Sequence, residues 1–374
     1  MTGLARAAAL ATLAVGGASG LHAQELRDAV LRLETSVGVY RGNLRAVNAP
    51  LSDSAEQAVA VASEVGARWT LDLIRSDRRG LSLFANGDLR QISAYGFVTR
   101  DYAPTEWSGR SEASYWQQIG RSVLSFNLGV DGRSIWDRPP MPLFLQPGYL
   151  RSSGSTQISF RTQRDVTLSV RLDLQDANYG APTYFSQLDL LDRREVGTEV
   201  SLTKNNGTTD GSMFRLHMRY DHSEYRRQES FYDDDPFRRD HSYRGGFLWQ
   251  GNRGDIFLRG NIEGIANRSN TRRPEYNAVL IEAYVQLPLP GEYSLQALAK
   301  LADKTYTHDT GFTRLVPGEE ADNRSEVWLG VSRQVAQSLD ARLQLEWARA
   351  ETDFSGDYFS SFGISIALDY RPPW

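Results

Sequence analysis

Histidine is followed by serine twice in this chain, at His222-Ser223 and His241-Ser242, and an imidazole beside a hydroxyl is the pairing from which hydrolases build a nucleophile. Both pairs lie in stretches whose apolar residues fall at every second position. Adjacent side chains there point to opposite faces, so neither pair makes a dyad by itself. Setting aside His22 near the N-terminus, the histidines are His217, His222, His241 and His308. No triad can be assembled from them, and the chain is expected not to be an enzyme. Asp233-Asp234-Asp235, with Glu229 and Asp240 nearby, offers carboxylate oxygens of the kind Ca²⁺ takes, without EF-hand spacing or its glycine. Interleaved Arg226, Arg227, Arg238 and Arg239 make it a self-neutralising polar connector instead. No metal and no cofactor is expected.

The elements that hold these residues are read from alternation. In Val166 to Gln175 the even positions are apolar and the odd ones polar, so one face of a strand meets an apolar phase and the other meets water. Phe214, Leu216, Met218 and Tyr220 alternate with Arg215, His217, Arg219 and Asp221, and Leu339 to Trp347 repeats the pattern. Connectors between such segments alternate in length. Ser76 to Gly80, Gly120-Arg121, Arg164-Asp165, Asn252 to Gly254, Pro290 to Glu292 and Gln337-Ser338 are tight, whereas the intervening junctions are long, polar and aromatic. This rhythm predicts an all-β fold, a single transmembrane antiparallel up-and-down β-barrel of about sixteen strands, within a range of about fourteen to eighteen, with short turns and both termini on the periplasmic side. A soluble sandwich or propeller would bury its alternating face in a core and need no rhythm of connector lengths. The long stretches 81–100 and 186–204 change parity midway, which predicts bulges there.

Composition fits once the N-terminus is set aside. Arg6, the apolar run Ala7 to Val15 and Leu21-His22-Ala23 read as a secretory signal over 1–23, leaving 24–374 as the barrel. The net charge of −4 argues against a nucleic-acid partner. The chain has no cysteine, which excludes disulfides and a lipoprotein anchor.

The parity opposite to the apolar one carries Arg32, Glu34, Glu64, Arg68, Asp72, Arg171, Asp173, Arg215, Arg219, Asp221, Arg259, Glu263, Glu282, Lys300, Arg342 and Glu346. These are the expected pore-lining residues. Both signs are present, which suits hydrophilic solutes without strong ion selectivity, since only a ring of one sign raises a large electrostatic barrier. Passage of solute is the default for a barrel wide enough to leave an aqueous lumen.

At the C-terminus Phe362, Ile364, Ile366, Leu368 and Tyr370 share one parity and the chain ends at Trp374. Here the sequence resembles the outer-membrane proteins of Gram-negative bacteria, in which such a last strand is recognised by the barrel-assembly machinery. Pro372-Pro373 departs from that pattern, which makes Tyr370 the expected signal aromatic and places Trp374 on a tail. The connector Ser134 to Tyr149 is apolar and Pro-rich, and it is the third long one. In the general porins that the sequence resembles, the third loop folds inward, which implies a constriction role for Trp136, Asp137, Arg138 and Phe144. The stretch Val327 to Tyr370 is also similar to barrels associated with exopolysaccharide export, which implies a lumen lined for polysaccharide as the alternative. The implied partners are outer-membrane lipid and lipopolysaccharide, the assembly machinery, and a hydrophilic solute or polysaccharide, the protein being a monomer or homotrimer.

Overall fold

The computed structural model describes residues 29–44, 55–95, 103–136, 148–162, 165–179, 188–206, 211–230, 236–271, 275–308, 325–351 and 358–372. The expected signal 1–23, Asp233 to Asp235, Asp137, Arg138, Phe144 and Trp374 lie outside them. The strands are β1 Ala29–Leu44, β2 Ala55–Arg75, β3 Arg79–Tyr95, β4 Thr105–Ile119, β5 Ser122–Trp136, β6 Tyr149–Arg161, β7 Val166–Tyr179 and β8 Arg193–Asn205. They continue as β9 Met213–Glu229, β10 Phe237–Arg253, β11 Ile256–Ser269, β12 Tyr276–Leu289, β13 Tyr293–Tyr306, β14 Ser325–Ala336, β15 Leu339–Glu351 and β16 Tyr358–Tyr370. Each pairs antiparallel with its chain neighbours, and β1 pairs with β16 from Leu33 opposite Tyr370 to Gly42 opposite Ser361, so all sixteen close into a barrel. Even the shortest strand, β14, has 12 residues, more than the roughly 9–11 that a tilted strand needs to cross a bilayer.

The large apolar side chains sit on the outside. Val65, Leu128, Met218 and Ile366 are between 59% and 71% exposed, and such residues recur at every second position around the circumference. Left in water, each would forgo roughly 1.5–3 kcal/mol of burial, so this surface is built for lipid. No helix among the described residues is long and apolar enough to cross a membrane. The barrel crosses with its strands.

At one end the connections are tight. Gly120 adopts φ +63° in the two-residue link from β4 to β5, a left-handed conformation that most side chains resist and that suits the twist of a hairpin. The β8–β9 connection at this end is longer, spanning 206–212, and is tied by the Asn206 N–H donating to the Ser212 carbonyl at 2.8 Å.

Two details correct the sequence reading. The stretch 186–204 changes parity because Leu188–Leu191 is a 3-10 turn and the strand begins only at Arg193, so no bulge is needed. β3 likewise keeps one register with β4 from Arg79 to Gln91, and the irregularity lies on its partner, between Asp72 and Ile74 of β2. Its parity change arises because Ile92 and Ala94 are apolar residues on the inward face. Ile92 packs there with Ala62, Tyr40, Ala60 and Ile135.

Candidate functional site

The inward face is identified by contacts that span a strand. Arg219 of β9 reaches Asp173 of β7 at 2.8 Å, His217 of β9 reaches Glu263 of β11 at 3.0 Å, and Arg342 of β15 reaches Glu34 of β1 at 2.9 Å. Side chains two strands apart converge on the concave side of a curved sheet and diverge on the convex side. Glycine keeps two of these paths open. Gly246 lies in register between His217 and Glu263, and a Cβ there would come within 2.6 Å of the imidazole Cε1. A Cβ on Gly197 would meet the Arg219 guanidinium at 2.6 Å.

These contacts join into one ladder across β7 to β11. Arg171 pairs with Asp173 at 2.7 Å, Arg219 bridges Asp173 and Asp221, and Arg244 lies 3.6 Å from Asp221 and 3.7 Å from Glu263, which holds His217. Arg215 pairs with Glu199 beside it. Charge alternates along the ladder, so neighbouring groups neutralise one another while their outer edges remain partly wet. A second set ties the seam, where Arg32 pairs with Asp369, Glu34 with Arg342, and Arg371 with Asp340 at 3.1 Å. Glu64 faces Arg90 at 4.0 Å, Arg259 faces Glu282 at 3.6 Å, and Gln344 donates to Glu346 at 3.2 Å. Lys300 lies opposite both Glu282 and Glu326. Arg68 and Asp72 lie on the same face of β2, opposite Asn86 and Ser82.

All sixteen residues named from alternation therefore share the concave face. Sequence reasoning missed Asp88, Arg90, Glu106, Arg110, Glu112, Asp131, Arg133 and Arg151 on the same face of β3 to β6. Their lipid-facing partners include Ala85, Gly87, Gly109 and Ser111, too small to make the alternation visible. Arg238, read from the sequence as part of a polar connector, lies instead within β10. Arg238 is 1% exposed, stacks over Tyr225 at 4.2 Å and donates to Asp240 and Gln228. Arg193 lies between Tyr179 and Tyr225, at 5.8 and 5.7 Å from the ring centres. Next to them the 3-10 turn closes the end of β8, with the Asp192 carboxylate accepting the Tyr179 N–H at 2.6 Å and the Asp192 carbonyl accepting the Arg226 N–H at 2.9 Å.

Trp136, expected at a constriction, is instead the last residue of β5 and faces outward, 64% exposed, because its neighbour Ile135 takes the inward position against Ala62 and Ile92. Phe362, Ile364, Ile366, Leu368 and Tyr370 form an exposed outward row on β16. His222 and His241 also face outward, directly opposite one another with ring centres 4.7 Å apart, while Ser223 and Ser242 face inward, so each histidine and its serine are separated by the wall. Among the described residues no three His, Asp or Glu side chains converge as metal ligands.

Fold and wall together define a membrane-spanning β-barrel with a charged, ion-paired interior. No family description and no curated relative matches the sequence. Among solved structures, Pseudomonas aeruginosa OccK11 (OpdR) is similar at 11% identity over 95% of this chain and 99% of that one, with a TM-score of 0.47. OpdQ of the same organism is similar at 8% identity over 94% and 100%, with a TM-score of 0.46. A bacterial polysaccharide outer membrane secretin is similar at 10% identity over 92% and 98%, with a TM-score of 0.40.

Proposed function

We propose that this chain is an outer-membrane channel through which hydrophilic solutes pass down their gradient. The observation that carries the proposal is the pairing of two incompatible faces on one closed wall, lipid-compatible outside and charged inside. A barrel of about this strand number has room for water between its inner side chains. The sixteen pore-lining residues named above do not act as a selectivity ring, because acids and bases pair along the wall, and the expected channel is weakly ion-selective. The tight turns and both termini belong in the periplasm, since outer-membrane barrels keep their short connections there. Phe362, Ile364, Ile366, Leu368 and Tyr370 serve as the surface that the assembly machinery reads, and the outer leaflet's lipopolysaccharide meets the end with long connectors. A constriction role for the connector 138–147 predicts that deleting it raises conductance.

Planar-bilayer recording of the purified, folded protein tests the proposal. Discrete conductance steps are expected, with slight preference between K⁺ and Cl⁻. A folded barrel that inserts and carries no current overturns it and leaves a structural or adhesive role.

A further inference from the structure

We infer that the inner wall of β11 to β14 is a saccharide-binding track, a reading that rests on the channel proposal and names its solute class. One rung of the wall runs Arg259, Tyr284, Leu298, Trp328 and Glu346, each directly opposite the next on the adjoining strand. Tyr284 and Trp328 lie 6.1 Å apart with their planes inclined at 61°, and Phe257 sits edge-on to Tyr284 at 6.0 Å. All three rings are half-exposed. They form an apolar shelf among the charged residues of the wall.

The neighbouring rung is Asn261, Glu282, Lys300 and Glu326, and Arg259 lies 3.6 Å from Glu282. Gln286, on the other side of Tyr284, accepts its hydroxyl at 3.2 Å. The shelf is thus bordered by rows of hydrogen-bond donors and acceptors. A pyranose has the matching anatomy, with C–H bonds across one face and hydroxyls around its edge. The electron-rich face of a tryptophan or tyrosine attracts those C–H bonds, while the bordering acids, bases and amides take the hydroxyls. A wholly apolar solute would leave the polar rows unsatisfied, and a small ion has no use for the rings. A second aromatic pair, Tyr276 and Tyr306 at 6.3 Å, stands on the same face of β12 and β13 toward the long connectors. Lys304 lies over both rings, at 3.8 and 4.8 Å. Tyr276 is 4% exposed beneath Lys304, so this pair braces the wall near the long connectors and the open shelf is the one at Tyr284 and Trp328.

The test uses the purified barrel in planar bilayers with neutral glucan oligosaccharides of graded length, and polyethylene glycol of matching size as a ringless control. Oligosaccharides are expected to interrupt the current with longer dwell times than polyethylene glycol. Trp328→Ala and Tyr284→Ala should each shorten those dwells about two- to tenfold, and Trp328→Phe should restore most of the loss. Heat-modifiable migration on gels reports that the variants fold. An open channel whose dwell times match those of polyethylene glycol, or ignore the loss of Trp328, overturns the saccharide track and leaves the channel standing. No current in any protein overturns the channel itself.

Discussion

Replacing Asp173 with Asn removes one negative charge from the ladder and alters little else. The carboxylate has two cationic partners, Arg171 at 2.7 Å and Arg219 at 2.8 Å, and Arg219 keeps Asp221 after the change. The amide still accepts a hydrogen bond, so the expected cost in stability is about 1–2 kcal/mol. The effect on ions follows from geometry. Sixteen strands spaced about 4.8 Å and tilted about 40° close at a backbone radius of roughly 16 Å. A charge carried about 6 Å inward by its side chain lies roughly 10 Å from the axis. There, one unbalanced unit charge acts on an ion in water with about 0.4 kcal/mol, reduced by screening to about 0.15 kcal/mol at 0.1 M salt and about 0.3 kcal/mol at 0.01 M. Anions gain and cations lose by that amount, so the permeability ratio of Cl⁻ to K⁺ should rise about 1.7-fold at 0.1 M and about 2.7-fold at 0.01 M. Reversal potentials under a KCl gradient measure the ratio directly. A ratio unchanged at low salt, or a change equal at both concentrations, would refute the placement of Asp173 on the conducting wall.

Three further outcomes are expected. Leu216→Arg places a guanidinium on the lipid face, where Leu216 is 55% exposed, and should cost about 2–4 kcal/mol in urea unfolding from lipid vesicles, whereas Arg215→Leu on the inner face should cost less. Gly246→Val sets a Cβ 2.6 Å from the His217 ring and 2.8 Å from the Ile262 carbonyl oxygen, and backbone cannot yield as a side chain can. A loss of about 1–3 kcal/mol and a lower yield of heat-modifiable barrel on gels should result, with Gly245→Ala as a tolerated control. Asp192→Ala leaves the half-buried Tyr179 N–H without its acceptor, which should cost about 1–2 kcal/mol and quicken proteolysis between β7 and β8.

Much of this architecture was legible because lipid outside and water inside impose a period of two on every strand. The strongest segments are those with bulky residues on the outer face, as in Leu168, Val170, Leu172 and Leu174 of β7, and there the inward charges could be named directly. Where the outer face carries Ala85, Gly87, Gly109 and Ser111, the contrast between faces vanishes, and with it eight charged residues of β3 to β6. Strand ends were hidden for a different reason. The 3-10 turn Leu188–Leu191 has no period of its own over four residues, and Leu191 is fully buried where the turn packs against β7 and β9. The ladder itself was out of reach, because Arg219 finds Asp173 and His217 finds Glu263 across intervening strands, separations of 46 residues that alternation does not encode. The aromatic shelf was hidden likewise, since Phe257, Tyr284 and Trp328 come together only through register.

The charges at the seam act as a check on how the barrel closes. Alternation of apolar and polar residues penalises a slip of one position, which would turn Val37 and Val39 inward and Arg32 and Glu34 toward lipid. A slip of two positions restores every face and escapes that penalty. It would nonetheless pull Arg32 from Asp369 and Glu34 from Arg342, contacts that first exist when the earliest and the last strands of the chain meet. The seam can therefore reject even-numbered errors that the membrane does not detect, and it does so at the one junction where no connecting turn fixes the register.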